Sequence, residues 1–119
     1  MIKVERLWKS FRGTPVLRGI DLEVPDGTIT VIIGRSGGGK SVFLKHLIGL
    51  LQPDAGRVLV DGQEITRLSG EPLDAIRRRY GVVFQGGALF DSMRCADNVA
   101  FPLREKMRLP KAELSLIHI

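Results

Sequence analysis

The sequence predicts an α/β fold in which a strand, a glycine-rich loop and a helix follow one another, with an antiparallel sheet ahead of them. Three observations predict it. Residues 34–41, Gly-Arg-Ser-Gly-Gly-Gly-Lys-Ser, satisfy the pattern Gly-x-x-x-x-Gly-Lys-Ser/Thr. Residues 28–33 (TITVII) form a β-branched run bounded by a turn, the pattern of a buried strand. Upstream, two short stretches alternate apolar with polar residues, as half-buried strands do.

In chain order, Ile2 and Val4 alternate with Lys3 and Glu5, giving a strand over residues 2–8. Phe-Arg-Gly-Thr-Pro at 11–15 supplies a turn. Ile20, Leu22 and Val24 then alternate with Gly19, Asp21 and Glu23, a second strand closed by Pro25-Asp26-Gly27. After the loop, residues 41–51 place Leu44, Leu47, Ile48 and Leu51 at helical spacing, and Pro53 and Gly56 stop that helix. Residues 57–60 read as a strand running into Asp61-Gly62, a hairpin dipeptide. An aspartate ending an apolar run can also hold a metal through water. The glycine that follows Asp61 favours the turn.

Ser69 to Arg79 reads as a helix capped by Ser69 or Gly70, with Pro72 in its first turn and Leu73, Ile76 and Tyr80 on one face. Arg77-Arg78-Arg79 then sit at its C-terminal end, where cations oppose the helix dipole. Residues 81–85 (GVVFQ) form a short strand ending in Gln85, at the end of a strand where α/β sheets place ligand-facing groups. Gly86-Gly87 hinge a loop, and Val99, Phe101 and Leu103 mark a further apolar stretch.

Composition bounds the rest. The 119 residues are 44% hydrophobic and 26% charged, enough for a core and too apolar for wholesale disorder. A net charge of +5 invites nucleic acid or an anionic surface as partner, yet the cations are scattered apart from the arginine run. The single cysteine, Cys95, excludes an internal disulfide. No stretch reaches the ~18 uninterrupted apolar residues of a membrane-spanning helix, and the first residues lack the apolar core of an export signal.

The loop carries the chemistry. Successive backbone N–H groups of a glycine-rich turn converge on an anion at a helix N-terminus. A lysine just past the last glycine reaches terminal phosphates, and the next hydroxyl can ligate Mg²⁺. Phosphate binding is the expectation for Gly34 to Ser41.

With these pieces in this order, the chain resembles the ATP-binding subunit of an ABC transporter over residues 2 to about 113. The landmarks are KSFRGTPVLRGIDLEV, the Walker A loop GRSGGGKS, the hairpin GRVLVDG and the Q-loop strand GVVFQ. The resemblance implies a P-loop NTPase core behind an N-terminal antiparallel β subdomain. It implies that Phe11 stacks on adenine, with Trp8 as the rival aromatic placed in the core, and that Val16 touches the base from the side. Gly34, Arg35, Ser36, Gly37, Gly38 and Gly39 would wrap the β-phosphate. Lys40 would pair with the β- and γ-phosphates, and Ser41 would ligate Mg²⁺. Gln85 would complete the metal and water shell and sense the membrane subunit, which makes Lys40 and Gln85 the catalytic residues. His46 is left as a helix-surface or packing residue.

A finer resemblance, to the ATPases of Mla/Mce-type phospholipid transporters, rests on KSVFLKHLIGLLQPDAG and FQGGALFDSMRCADNVAFPLRE. Arg94-Cys95 depart from the small or apolar pair common there. That likeness implies a second ATP-binding subunit and transmembrane permease subunits as partners, at the cytoplasmic face of the inner membrane, with Leu89, Phe90 and Phe101 at the permease interface. No LSGGQ-type signature, later Walker B strand with its catalytic glutamate or switch histidine follows residue 103, and Leu68-Ser69-Gly70 is not that signature. The expectation is therefore an N-terminal portion of the domain over 1–113, ending before the helical subdomain is complete. Residues 114–119 are expected to be a non-native tail, so that His118 is no switch. Such a chain would hold ATP and Mg²⁺ with negligible turnover. Two other functions stay open: a nucleotide-binding module that never turns over, and a nucleic-acid-associated P-loop ATPase.

Overall fold

The computed structural model describes residues 1–87 and 89–107; Ala88 and the tail expected at 114–119 lie outside the described residues. Two compact units divide the chain, Met1–Gly81 and Val82–Ile119.

The first unit is built on an antiparallel sheet in the order β2-β1-β3-β4, with β1 at Ile2–Phe11, β2 at Thr14–Val24, β3 at Ala55–Val60 and β4 at Gln63–Glu64. The antiparallel sheet expected ahead of the loop is present. The β1–β2 turn is tighter than the expected 11–15. Only Arg12 and Gly13 turn, at φ 50° and 78°, and Pro15 already lies opposite Ser10. Two residues with positive φ match the twist of the strands they join, so pairing continues to the corner.

A bulge sets which face of β1 is buried. Arg6 has φ 47°, and register slips between Val4 and Leu7 against β2 and between Glu5 and Trp8 against β3. The extra residue turns Val4 and Leu7 to the same side, where both are buried. Trp8 is thereby put outside at 45% exposure, which corrects its expected place in the core. β3 comes so close to the bulge that a Cβ on Gly56 would collide with the Arg6 carbonyl.

The core joins Val4 and Leu7 of β1, Leu17 of β2 and Val58 and Val60 of β3 to two helices. Helix α1 spans Lys40–Leu47 and α2 spans Gly70–Arg77. α1 buries Phe43, His46 and Leu47 and leaves Leu44 half exposed, so the expected stripe of Leu44, Leu47, Ile48 and Leu51 is rotated by one position. It also stops short of residue 51. Gly49, at φ 71°, donates to the His46 carbonyl, and Leu50 donates to that of Lys45, the paired bonds of a glycine-terminated helix. α2 turns Leu73 and Ile76 inward.

Asp61 and Gly62, at φ 49° and 82°, make the β3–β4 hairpin turn. The Asp61 carboxylate is taken by the Met1 amino group at 2.5 Å and by Arg79. The turn, not a metal ligand, accounts for this residue. The arginine run is engaged as well. Arg77 donates to the Ile48 and Gly49 carbonyls and pairs with Asp74, Arg78 pairs with Glu71, and Arg79 pairs with Asp61.

Two expected strands are not formed. Residues 28–33 have no ladder partner among the described residues, and Ile29, Val31 and Ile33 are 93%, 74% and 90% exposed. Residues 81–85 are likewise irregular, with Val83 94% exposed. An extended run becomes a strand when a neighbour takes its N–H and C=O groups, and composition alone cannot supply that neighbour.

In the second unit, helix α3 (Cys95–Pro102) continues into a π-helical turn, Leu103–Met107. Asn98 ties the preceding loop to α3. Its Oδ1 accepts from the Phe90 N–H at 2.8 Å, and its Nδ2 donates to the Phe90, Met93 and Arg94 carbonyls. The Phe90 and Phe101 rings meet at 4.8 Å. Arg94 and Arg104 flank Asp97 and hold its carboxyl below the usual range.

Candidate functional site

Residues 34–39 wrap into the start of α1, and the backbone path constrains Gly37, Gly38 and Gly39. Gly37 and Gly39 take φ of 77° and 94°, where a side chain is strained. A Cβ on Gly38 would stand 2.9 Å from the Arg35 carbonyl oxygen, and one on Gly39 would stand 2.9 Å from Val16 Cγ1. Gly38 N–H closes the turn onto the Arg35 carbonyl at 3.0 Å, and Phe43 N–H makes the first helical bond, to Gly39, at 2.8 Å.

The N-terminus of α1 is left open. Its cap residue, Gly39, has no side chain to close it, and the first turn carries no acidic residue. The free amides and the positive end of the helix dipole therefore face outward together. Lys40 lies across them. Its Nζ donates to the Gly34 carbonyl at 2.5 Å and the Arg35 carbonyl at 2.6 Å, with its stem 3.6 Å from where a Gly34 Cβ would be. A cation held by neutral carbonyls exchanges readily for a bond to an anion, because charge-assisted bonds are the stronger ones. Ser41 is exposed at the same helix start, as are Arg35 and Ser36 on the loop. The cradle fits a polyphosphate, and the Ser41 hydroxyl fits a hard cation that takes oxygen ligands.

Behind the loop an apolar groove of about 340 Å³ runs from Val16 and Ile20 to Val31, Ile33 and Lys40. Val16 lies against the glycine loop, its Cγ1 next to Gly39. Phe11 is 41% exposed at the end of β1, its ring carrying the Lys9 ammonium 5.4 Å from the centroid. Nothing in the sequence pattern singles out Lys9 beyond its two-residue spacing from Phe11 on one strand. Gln85 is exposed in the second unit. His46 is buried, with Nδ1 2.8 Å from the Val42 carbonyl oxygen and Nε2 without a partner among the described residues. Burial, opposed by that carbonyl, pushes its pKa down.

Residues 17–118 match the ABC transporter family model. The chain is 48% identical over 113 residues to the probable ribonucleotide transport ATP-binding protein mkl of Mycobacterium leprae, covering 95% of this chain and 33% of that one. It is 43% identical over 111 residues to the intermembrane phospholipid transport system ATP-binding protein MlaF of Haemophilus influenzae, covering 93% and 42%. Among solved structures it superposes on a dimeric bacterial ABC transporter cassette with a TM-score of 0.85 at 31% identity, covering 96% of this chain and 52% of that one. A post-hydrolysis cassette bound to ADP and Pi gives 0.84 at 30% identity, with the same coverage. The chain thus spans about a third of the length of the mkl relative and about half of the solved cassettes.

Proposed function

The chain belongs to the ABC transporter family, and from that premise we propose that it supplies the Mg-ATP-holding part of a transporter's ATP-binding subunit. One observation carries the reading: an uncapped helix start behind a loop whose path disfavours side chains at Gly37, Gly38 and Gly39, with Lys40 held by exchangeable carbonyl bonds. Free amides within Gly34 to Ser41 bind the phosphates, and Lys40 leaves the Gly34 and Arg35 carbonyls for phosphate oxygens. Ser41 offers its hydroxyl to Mg²⁺, which when bound neutralises phosphate charge. Phe11 takes the adenine, Val16 flanks it, and Gln85 serves the metal and water shell and the membrane partner.

The whole subunit, in this proposal, hydrolyses ATP as one of a pair, docked on permease subunits at the cytoplasmic face of the inner membrane. No helix among the described residues is long and apolar enough to cross a membrane. The transporter's cargo is a phospholipid or a related hydrophobic molecule, supported by the MlaF likeness, whereas the mkl relative's name speaks of ribonucleotides. The pairing of Arg77, Arg78 and Arg79 within the fold weighs against the nucleic-acid alternative.

Calorimetric titration with Mg-ATP tests the reading. Lys40→Ala is expected to weaken binding at least tenfold, or about 1.4 kcal/mol, with the melting curve unchanged. Equal affinity in the two proteins overturns it.

A further inference from the structure

Lys9 has an environment that a surface lysine on a sheet does not usually have. Its side chain is only 18% exposed. Its Nζ donates to the Gln52 carbonyl at 2.9 Å, lies 3.7 Å from the Asp54 carboxylate, and sits 5.4 Å from the centre of the Phe11 ring. The segment that holds it is itself fixed. Asp54 N–H donates to the Trp8 carbonyl at 2.8 Å, and its carboxylate accepts from the Ser10 N–H at 2.7 Å. The chain leaving α1 is therefore stapled to β1 on both sides of Lys9, two residues ahead of the exposed aromatic.

A cation over one face of a benzene ring is attracted by the ring's negative face and draws its π density that way. The opposite face becomes the better platform for an electron-rich base, and the tether limits the ring's swing. We propose that Lys9 is a positioning residue for the nucleobase, holding Phe11 from one face so that the other receives an aromatic base. The inference rests on the reading of Phe11 as the adenine-stacking residue. It adds that the segment between α1 and β3, through Gln52 and Asp54, helps define the base site.

The test separates base from phosphate. The full chain and its Lys9→Met, Lys9→Arg, Phe11→Ala and Lys9→Met/Phe11→Ala variants are titrated with Mg-ATP and with Mg-tripolyphosphate, which has no base. Lys9→Met is expected to weaken ATP about two- to fivefold, the size of an exposed cation–π contact, and to leave tripolyphosphate unchanged. Lys9→Arg restores ATP affinity, and the double variant is no weaker than Phe11→Ala alone, since the two residues act as a unit. Equal loss for both ligands, which a general structural or charge effect gives, overturns the proposal, and so does unaltered ATP binding in Lys9→Met. If the unsubstituted chain binds tripolyphosphate as tightly as ATP, the base site falls while the phosphate loop stands. If it binds neither, both fall together.

Discussion

Gly39 ties the loop to the sheet: at φ 94° its α-carbon faces Val16, with no room for a methyl group. Gly39→Ala meets both obstacles and is expected to cost about 1–3 kcal/mol in urea unfolding, together with loss of nucleotide binding. Val16→Ala in the same background relieves the contact but not the dihedral strain, so it recovers only part of that loss. His46 makes a second prediction at this scale. Burial is the largest cause of its lowered pKa, with Lys9 adding to it and the Val42 and Gln52 carbonyls and Asp54 opposing. The unfolded chain takes up the proton near pH 6.5, whereas the folded chain does so only at lower pH. Stability should therefore be level above about pH 6.5 and fall as the pH drops toward the folded value. Urea unfolding at pH 7.5 and 5.5 reads this slope, and His46→Leu should flatten it; a slope unchanged in the variant contradicts the assignment.

Elements differ in how far their residues announce them. Asp61-Gly62 and Gly13 were readable because positive φ restricts the residues that can turn. The bulge at Arg6 was not, since an arginine carries no such mark, and so the outward placement of Trp8 was missed. In α1 both Phe43 with Leu47 and Leu44 with Ile48 satisfy helical spacing, and only packing against the sheet selects the first pair. Two predictions belong here. Gly56→Ala drives a methyl into the Arg6 carbonyl and should cost about 3 kcal/mol or more, far beyond an alanine placed at the open Gly62 turn. Asn98→Ala removes four bonds between the 90–94 loop and α3. Amide exchange at Phe90 should then rise about tenfold or more, with protection in the first unit unchanged.

For the molecule as a whole, the glycine loop and the helix start at Lys40 were legible because their constraint is local: eight consecutive residues specify both. The strands on either side were not, because a strand is a relation between segments. Residues 28–33 and 81–85 have strand composition, and no described residue supplies their ladder partner. The apolar side chains left outside make self-association the expected behaviour of this chain at high concentration. Ile29→Lys and Val83→Lys should reduce that association in light scattering while changing unfolding free energy by no more than about 0.5 kcal/mol. A large loss of stability in either would show that these side chains are packed in solution.

The central claim is that Gly34 to Ser41 hold the phosphates of Mg-ATP, and backbone amide chemical shifts read it most directly. Added Mg-ATP is expected to move the N–H resonances of residues 36–41 downfield in a saturable way, with those responses lost in Lys40→Ala. Saturable shifts confined to other residues, or responses at the loop that persist unchanged in Lys40→Ala, would contradict it.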